Sequence, residues 1–188
     1  PYGELRYEGE ILPSLKSLDT KGLVMFLGTF SKIFTPGLRL GWVAAEHSLL
    51  EKFVQIKQSA DLHTSNFDQG VVDAYIDNYD LDAHVKEIVA LYKHRRDVIL
   101  KAMEENFPAG CEWTHPEGGL FLWLTVPEGV SALKVFNKCI EAKVAGVIGD
   151  AFYPNGKTDR SMRINFSNMP DDRIVEGIKR MAKAIREG

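Results

Sequence analysis

The chain has 188 residues, and its 23 Lys and Arg set against 26 Asp and Glu leave a formal net charge of −3. With 45% hydrophobic and 26% charged residues it has the make-up of a globular protein, which excludes a disordered or collagen-like chain. A near-neutral charge and a pI near 6.0 give no electrostatic case for binding nucleic acid or an anionic membrane.

The apolar run Leu23 to Leu27 has five residues, far short of the roughly 20 a membrane-spanning helix needs. Cys111 and Cys139 are the only cysteines, so there is neither a disulfide framework nor a Cys-based zinc site. The histidines at 47, 63, 84, 94 and 115 are scattered without metal spacing, and no metal is expected. The chain opens on Pro1-Tyr2-Gly3, with neither a Met nor a signal peptide, which hints at a missing upstream part.

In chain order, residues 23–27 read as a buried strand between Gly22 and Gly28, and residues 40–45 as a second short apolar strand. The loop between them, Gly28 to Gly37, is rich in small and hydroxyl residues. Residues 48–58 and 67–77 read as helices, the first with Leu49, Leu50, Phe53, Val54 and Ile56 on its apolar side. Asp80 or Asp82 would cap a long helix reaching about Asn106, ended by Pro108 and Gly110. Its charges, including Lys93, Arg95, Arg96 and Asp97, read as a solvated face. Strands follow near 111–114 and 119–126, around the turn Pro116-Glu117-Gly118-Gly119, then a helix at 131–142. Strands near 144–148 and 161–166 and a helix at 171–186 close the chain. Strands alternating with helices predict an α/β or α+β layered fold. The texture changes near residue 79, so residues 1–79 are expected to belong to a parallel-sheet domain and residues 80–188 to a small α+β domain. Trp42, Trp113 and Trp123 are expected in the core, and Cys139 buried and inert.

The chemistry is concentrated in Gly28-Thr29-Phe30-Ser31-Lys32-Ile33-Phe34-Thr35-Pro36-Gly37-Leu38-Arg39-Leu40-Gly41-Trp42. An amine among apolar neighbours and near a cation gives up its proton more readily and then forms a Schiff base with a carbonyl. Thr29, Ser31 and Arg39 offer hydroxyls and a guanidinium fork, a cradle for phosphate. A lysine beside a phosphate site is what pyridoxal phosphate (PLP) requires. Taken alone, Lys32 also reads as a solvated loop lysine. The segment is not a P-loop, because the Gly-Lys-Ser/Thr ending is absent.

This segment resembles the lysine loop of the class I/II, fold-type I PLP-dependent aminotransferases. The nearest subgroup is the 2-aminoadipate/kynurenine branch, which shares its domain with MocR-type regulators. The family pattern Ser/Thr-Phe-Ser-Lys followed by Pro-Gly-Leu-Arg-Leu-Gly is met at every position. Pro1-Tyr2 with Leu5 to Glu10, and Gln58 to Gln69, also resemble family segments. So do Tyr92 to Asp97 (Tyr-x-x-Arg-Arg-Asp), Pro116 to Trp123 (Pro-Glu-Gly-Gly-x-Phe-x-Trp) and Arg163 to Ser167 (Arg-x-x-Phe-Ser).

The resemblance implies an amino-acid transaminase that acts on an amino acid and a 2-oxo acid as a cytoplasmic homodimer. It implies that Lys32 bonds the cofactor and shuttles the proton, and that Thr29, Ser31 and Arg39 hold its phosphate. Tyr2 would bond its ring hydroxyl, and Arg163 would grip the substrate alpha-carboxylate. Residues 1–79 become the end of the large cofactor domain. The family's aspartate, three residues before the tyrosine, falls before Pro1, as do an asparagine, a glycine-rich phosphate loop and a tyrosine lent by the dimer partner. The chain is therefore expected to be a C-terminal half that binds PLP poorly and is inactive alone. Ile148 stands where the family has Pro, which is expected to loosen the turn into Gly149. Two other readings stay open: the PLP-binding effector domain of a MocR-type transcription regulator, and a cofactor-free remnant.

Overall fold

The structure, a computed structural model, describes residues 2–155 and 159–188. It divides into two compact units, Pro1–Val89 and Ala90–Gly188. The division falls inside one continuous helix. Among the described residues no helix is long and apolar enough to cross a membrane, and no cluster of His, Cys, Asp and Glu could hold a metal ion.

In the first unit a 3-10 turn, Leu15–Leu18, leads to Asp19. The Asp19 carboxylate accepts the N–H groups of Lys21, Leu23 and Val24 and pairs with Lys16 at 3.0 Å. The Val24 N–H, then the Lys16 ammonium, hold its carboxyl well below the usual carboxylate range. This cluster fixes the chain just before strand β1, Phe26–Thr29.

Strand β2, Gly41–Ala44, pairs antiparallel with β1, Phe26 opposite Ala44 and Thr29 opposite Gly41. This corrects the expected bounds and burial of the first strand. The first strand begins three residues later than its apolar run, and Leu23 and Leu27 are 78% and 64% exposed. A loop that reverses directly gives antiparallel pairing, since parallel strands need a longer crossover. The apolar side chains stay open because, among the described residues, β1 has β2 as its one neighbouring strand. Trp42 is likewise half-exposed rather than in the core. Its ring lies across Gly28, where an added Cβ would come within 2.1 Å of it.

Helix α1, His47–Ala60, is capped by Glu46 and has no buried residue, so its apolar side is also uncovered. Helix α2, Asn66–Asn78, is capped by the Ser65 hydroxyl and buries Val72. Helix α3, Leu81–Asn106, starts under the Asp80 carboxylate, which accepts the Ala83 N–H at 2.9 Å. One arginine on α3 breaks the solvated-face expectation: Arg96 is 5% exposed.

The second unit is built on four antiparallel strands in the order β3-β4-β6-β5: Glu112–Trp113, Phe121–Thr125, Ser161–Asn165 and Val147–Ile148. Alternation sorts their side chains. Leu122, Leu124, Met162 and Ile164 are buried in the core. Helices α4, Ala132–Glu141, and α5, Asp171–Arg186, complete that core with Val135, Cys139, Ile174, Ile178, Met181 and Ile185. Each such fully buried aliphatic side chain contributes about 1.5–3 kcal/mol. Cys139 is buried as expected, and burial pushes its thiol up to about 11.

Ile148 lies in β5 opposite Met162 with φ −55°, a value a proline ring also allows. Gly149 follows, opening a 3-10 turn to Phe152. A Cβ on Gly149 would come within 2.1 Å of the Ser161 hydroxyl and 2.8 Å of its carbonyl oxygen. Gly149→Ala is therefore expected to destabilise the fold by about 1–3 kcal/mol. Urea unfolding measures this, and an unchanged midpoint would show that the turn yields freely.

Candidate functional site

The loop between β1 and β2 is pinned at both ends to one carbonyl. Leu40 O accepts the Phe30 N–H at 3.2 Å and the Thr29 hydroxyl at 3.0 Å. Thr29 Oγ1 in turn accepts the Ser31 N–H at 3.1 Å. The chain then makes a helical turn, Phe34 N–H to Phe30 O at 2.9 Å, with Ser31 and Lys32 inside it. Lys32 Nζ lies 6.0 Å from the centre of the Tyr2 ring. Among the described residues neither Lys32 nor Arg39 has a carboxylate partner.

Arg39 has φ +54°, a left-handed conformation that costs a non-glycine residue roughly 1–2 kcal/mol. Two bonds to Pro36 O offset that cost, from the Arg39 N–H at 3.4 Å and from Nη1 at 3.0 Å. Nη1 also reaches the Ser31 hydroxyl at 3.5 Å. The structure thus places Thr29, Ser31, Lys32 and Arg39 on one loop, with the Tyr2 ring 6.0 Å from Lys32 Nζ: two cations and hydroxyls, neither cation paired to a carboxylate among the described residues. That donor set fits a phosphate-bearing carbonyl compound.

The second unit carries Arg163, opposite Trp123 on β4 and Val147 on β5. Its guanidinium lies between two aromatic rings, 4.2 Å from the centre of Phe121 and 4.8 Å from that of Phe152. Trp123 meets Phe152 and Tyr153 edge-on at 5.5 and 6.1 Å. Among the described residues Arg163 has no carboxylate partner, and its Nε is buried without an acceptor. A guanidinium held by ring faces keeps its fork free for an incoming carboxylate. Sequence reasoning missed Phe121 and Phe152. Strand alternation carried half the signal, since Phe121 is two residues from Trp123, which pairs with Arg163.

The family model for class I and II aminotransferases matches residues 2–181. The chain belongs to the class I and II aminotransferase family. Aminotransferases of these classes are PLP-dependent. The chain is 46% identical over 187 residues to aromatic-amino-acid aminotransferase 1 of Thermococcus litoralis, matching 100% of this chain and 45% of that protein. The solved kynurenine aminotransferase of Pyrococcus horikoshii, in complex with PMP, superposes with a TM-score of 0.93 at 46% identity, covering 100% of this chain and 46% of that one. An HTH-type transcriptional regulator of Bacillus subtilis, YisV, is 26% identical over 98% of this chain and 38% of its own length. The chain spans about half the length of the curated relatives it matches.

Proposed function

We propose that the protein is a PLP-dependent transaminase that moves an amino group between an amino acid and a 2-oxo acid. The observation that carries this is the β1–β2 loop, where Lys32 stands with two hydroxyls and an uncompensated arginine. Family membership and the similarity to aminotransferases along the whole chain support it.

The first unit supplies the cofactor side. Ser31 and Arg39 bind the phosphate. Thr29 has its one proton on Leu40 O, so it supports Ser31 and shares in the phosphate only by turning that proton away. Tyr2 donates to the ring hydroxyl. When bound, PLP supplies an electron sink for the substrate α-carbon. Lys32 Nζ would hold the cofactor through its carbonyl carbon and, once the substrate amine has displaced it and freed its lone pair, would take and return the α-carbon proton. Arg163 is the side chain whose fork would hold the substrate carboxylate and orient the α-carbon. The rings of Phe121, Trp123 and Phe152 beside it suit an aromatic amino acid, in keeping with the relative from Thermococcus litoralis.

Residues 1–79 form the end of the cofactor domain and residues 80–188 the small domain of a cytoplasmic homodimer working in amino-acid metabolism. The alternative is the effector domain of a MocR-type regulator. A single assay separates the two. The full-length protein, loaded with PLP, is expected to convert phenylalanine and 2-oxoglutarate to phenylpyruvate and glutamate. PLP binding without turnover of any amino acid would favour the regulator.

A further inference from the structure

Two adjacent arginines on α3, Arg95 and Arg96, reach the segments that flank two strands of the second unit. Arg96 is buried, donates from Nη1 to Pro116 O at 2.9 Å, and is held by Asp97, with Nη2 2.6 Å and Nε 2.9 Å from Oδ1. Arg95 Nη1 donates to Ser167 O. Pro116 opens the turn that enters β4, and Ser167 lies just past the end of β6.

Both tethers end at the mouth of the β4–β6 pair. There Leu120 O accepts the Phe166 N–H at 3.3 Å and the Asn165 amide at 3.2 Å. The Asn165 oxygen in turn accepts the Ser167 N–H at 3.0 Å and its hydroxyl at 3.1 Å. The bonds close a ring that runs from α3 to Pro116, through Gly119 (φ +82°) to Leu120, across to Asn165 and Ser167, and back to α3. Arg163 is two residues before Asn165, and the Phe121 ring that faces it follows Leu120.

We propose that Arg95 and Arg96 are positioning residues for the carboxylate grip. They brace the turn before β4 against the exit of β6, so that Arg163 and Phe121 meet in one fixed geometry. The inference rests on the reading of Arg163 as the carboxylate anchor. A side chain without hydrogen-bond donors at either position frees one carbonyl and lets the turn with its left-handed glycine swing, which weakens the grip without touching the cofactor loop.

The test compares Arg96→Met, the milder Arg95→Met and Arg163→Ala in the full-length protein. The expected result for each Met variant is a KM for the amino acid raised about 5- to 50-fold, with kcat within about threefold and PLP affinity unchanged. Arg96→Lys is expected to recover part of the loss, since it keeps one donor for Pro116 O. A fall in melting temperature with KM unchanged would reduce the pair to a stability role and overturn the proposal. If Arg96→Met does not fold, Arg95→Met decides by the same KM criterion. An Arg163→Ala protein with unchanged KM would overturn the anchor reading and the brace with it. A raised KM in Arg163→Ala alone would overturn only the brace.

Discussion

Lys32→Ala in the full-length protein is expected to let PLP leave on dialysis and to cut transamination by at least about 10³-fold. Leu40 O fixes both ends of the loop, and the helical turn from Phe30 to Phe34 sets Lys32 one residue beyond the hydroxyl pair of Thr29 and Ser31. An alanine there leaves the phosphate cradle intact, so some non-covalent binding survives. It removes the covalent anchor and the group that moves the α-carbon proton. Retention through dialysis and the rate of turnover, measured side by side, report these two losses separately. A substituted protein that turns over at the wild-type rate would contradict the assignment.

Arg163→Ala is expected to raise the KM for amino-acid substrates by one to three orders of magnitude. That corresponds to about 1.5–4 kcal/mol for losing a charge-assisted bidentate pair. The Phe121 and Phe152 rings lie 4.2 and 4.8 Å from the guanidinium, which fixes its fork for the proposed carboxylate role. Arg163→Lys is expected to recover little, because an ammonium lacks the fork and stacks less well on a ring. Steady-state kinetics check this, and an unchanged KM would move the carboxylate site elsewhere.

Much of the fold was legible because its signals are local. The Asp80 cap of α3 and the Pro108 and Gly110 that end this helix depend on neighbours in sequence. The failures share one cause. Hydrophobicity reads the run Leu23 to Leu27 and Trp42 as buried. Burial, however, depends on what packs against an element, and these residues remain uncovered. Arg96 failed in the opposite sense. A charge on a long helix reads as solvated, and the distant carbonyl of Pro116, which Arg96 reaches while Asp97 holds it, is out of sight in the sequence. In the candidate site, Lys32, Arg39 and Arg163 stood out by residue type and motif. The two rings around Arg163 did not, since Phe152 comes from a turn 11 residues before Arg163 and Phe121 from another strand.

The most direct test of the central claim is to map where PLP is held. The full-length protein is loaded with PLP, reduced with borohydride, digested and read by mass spectrometry. The account predicts a phosphopyridoxyl group on the peptide that contains Lys32 and on no other. A label on a different lysine, or none at all, would contradict it.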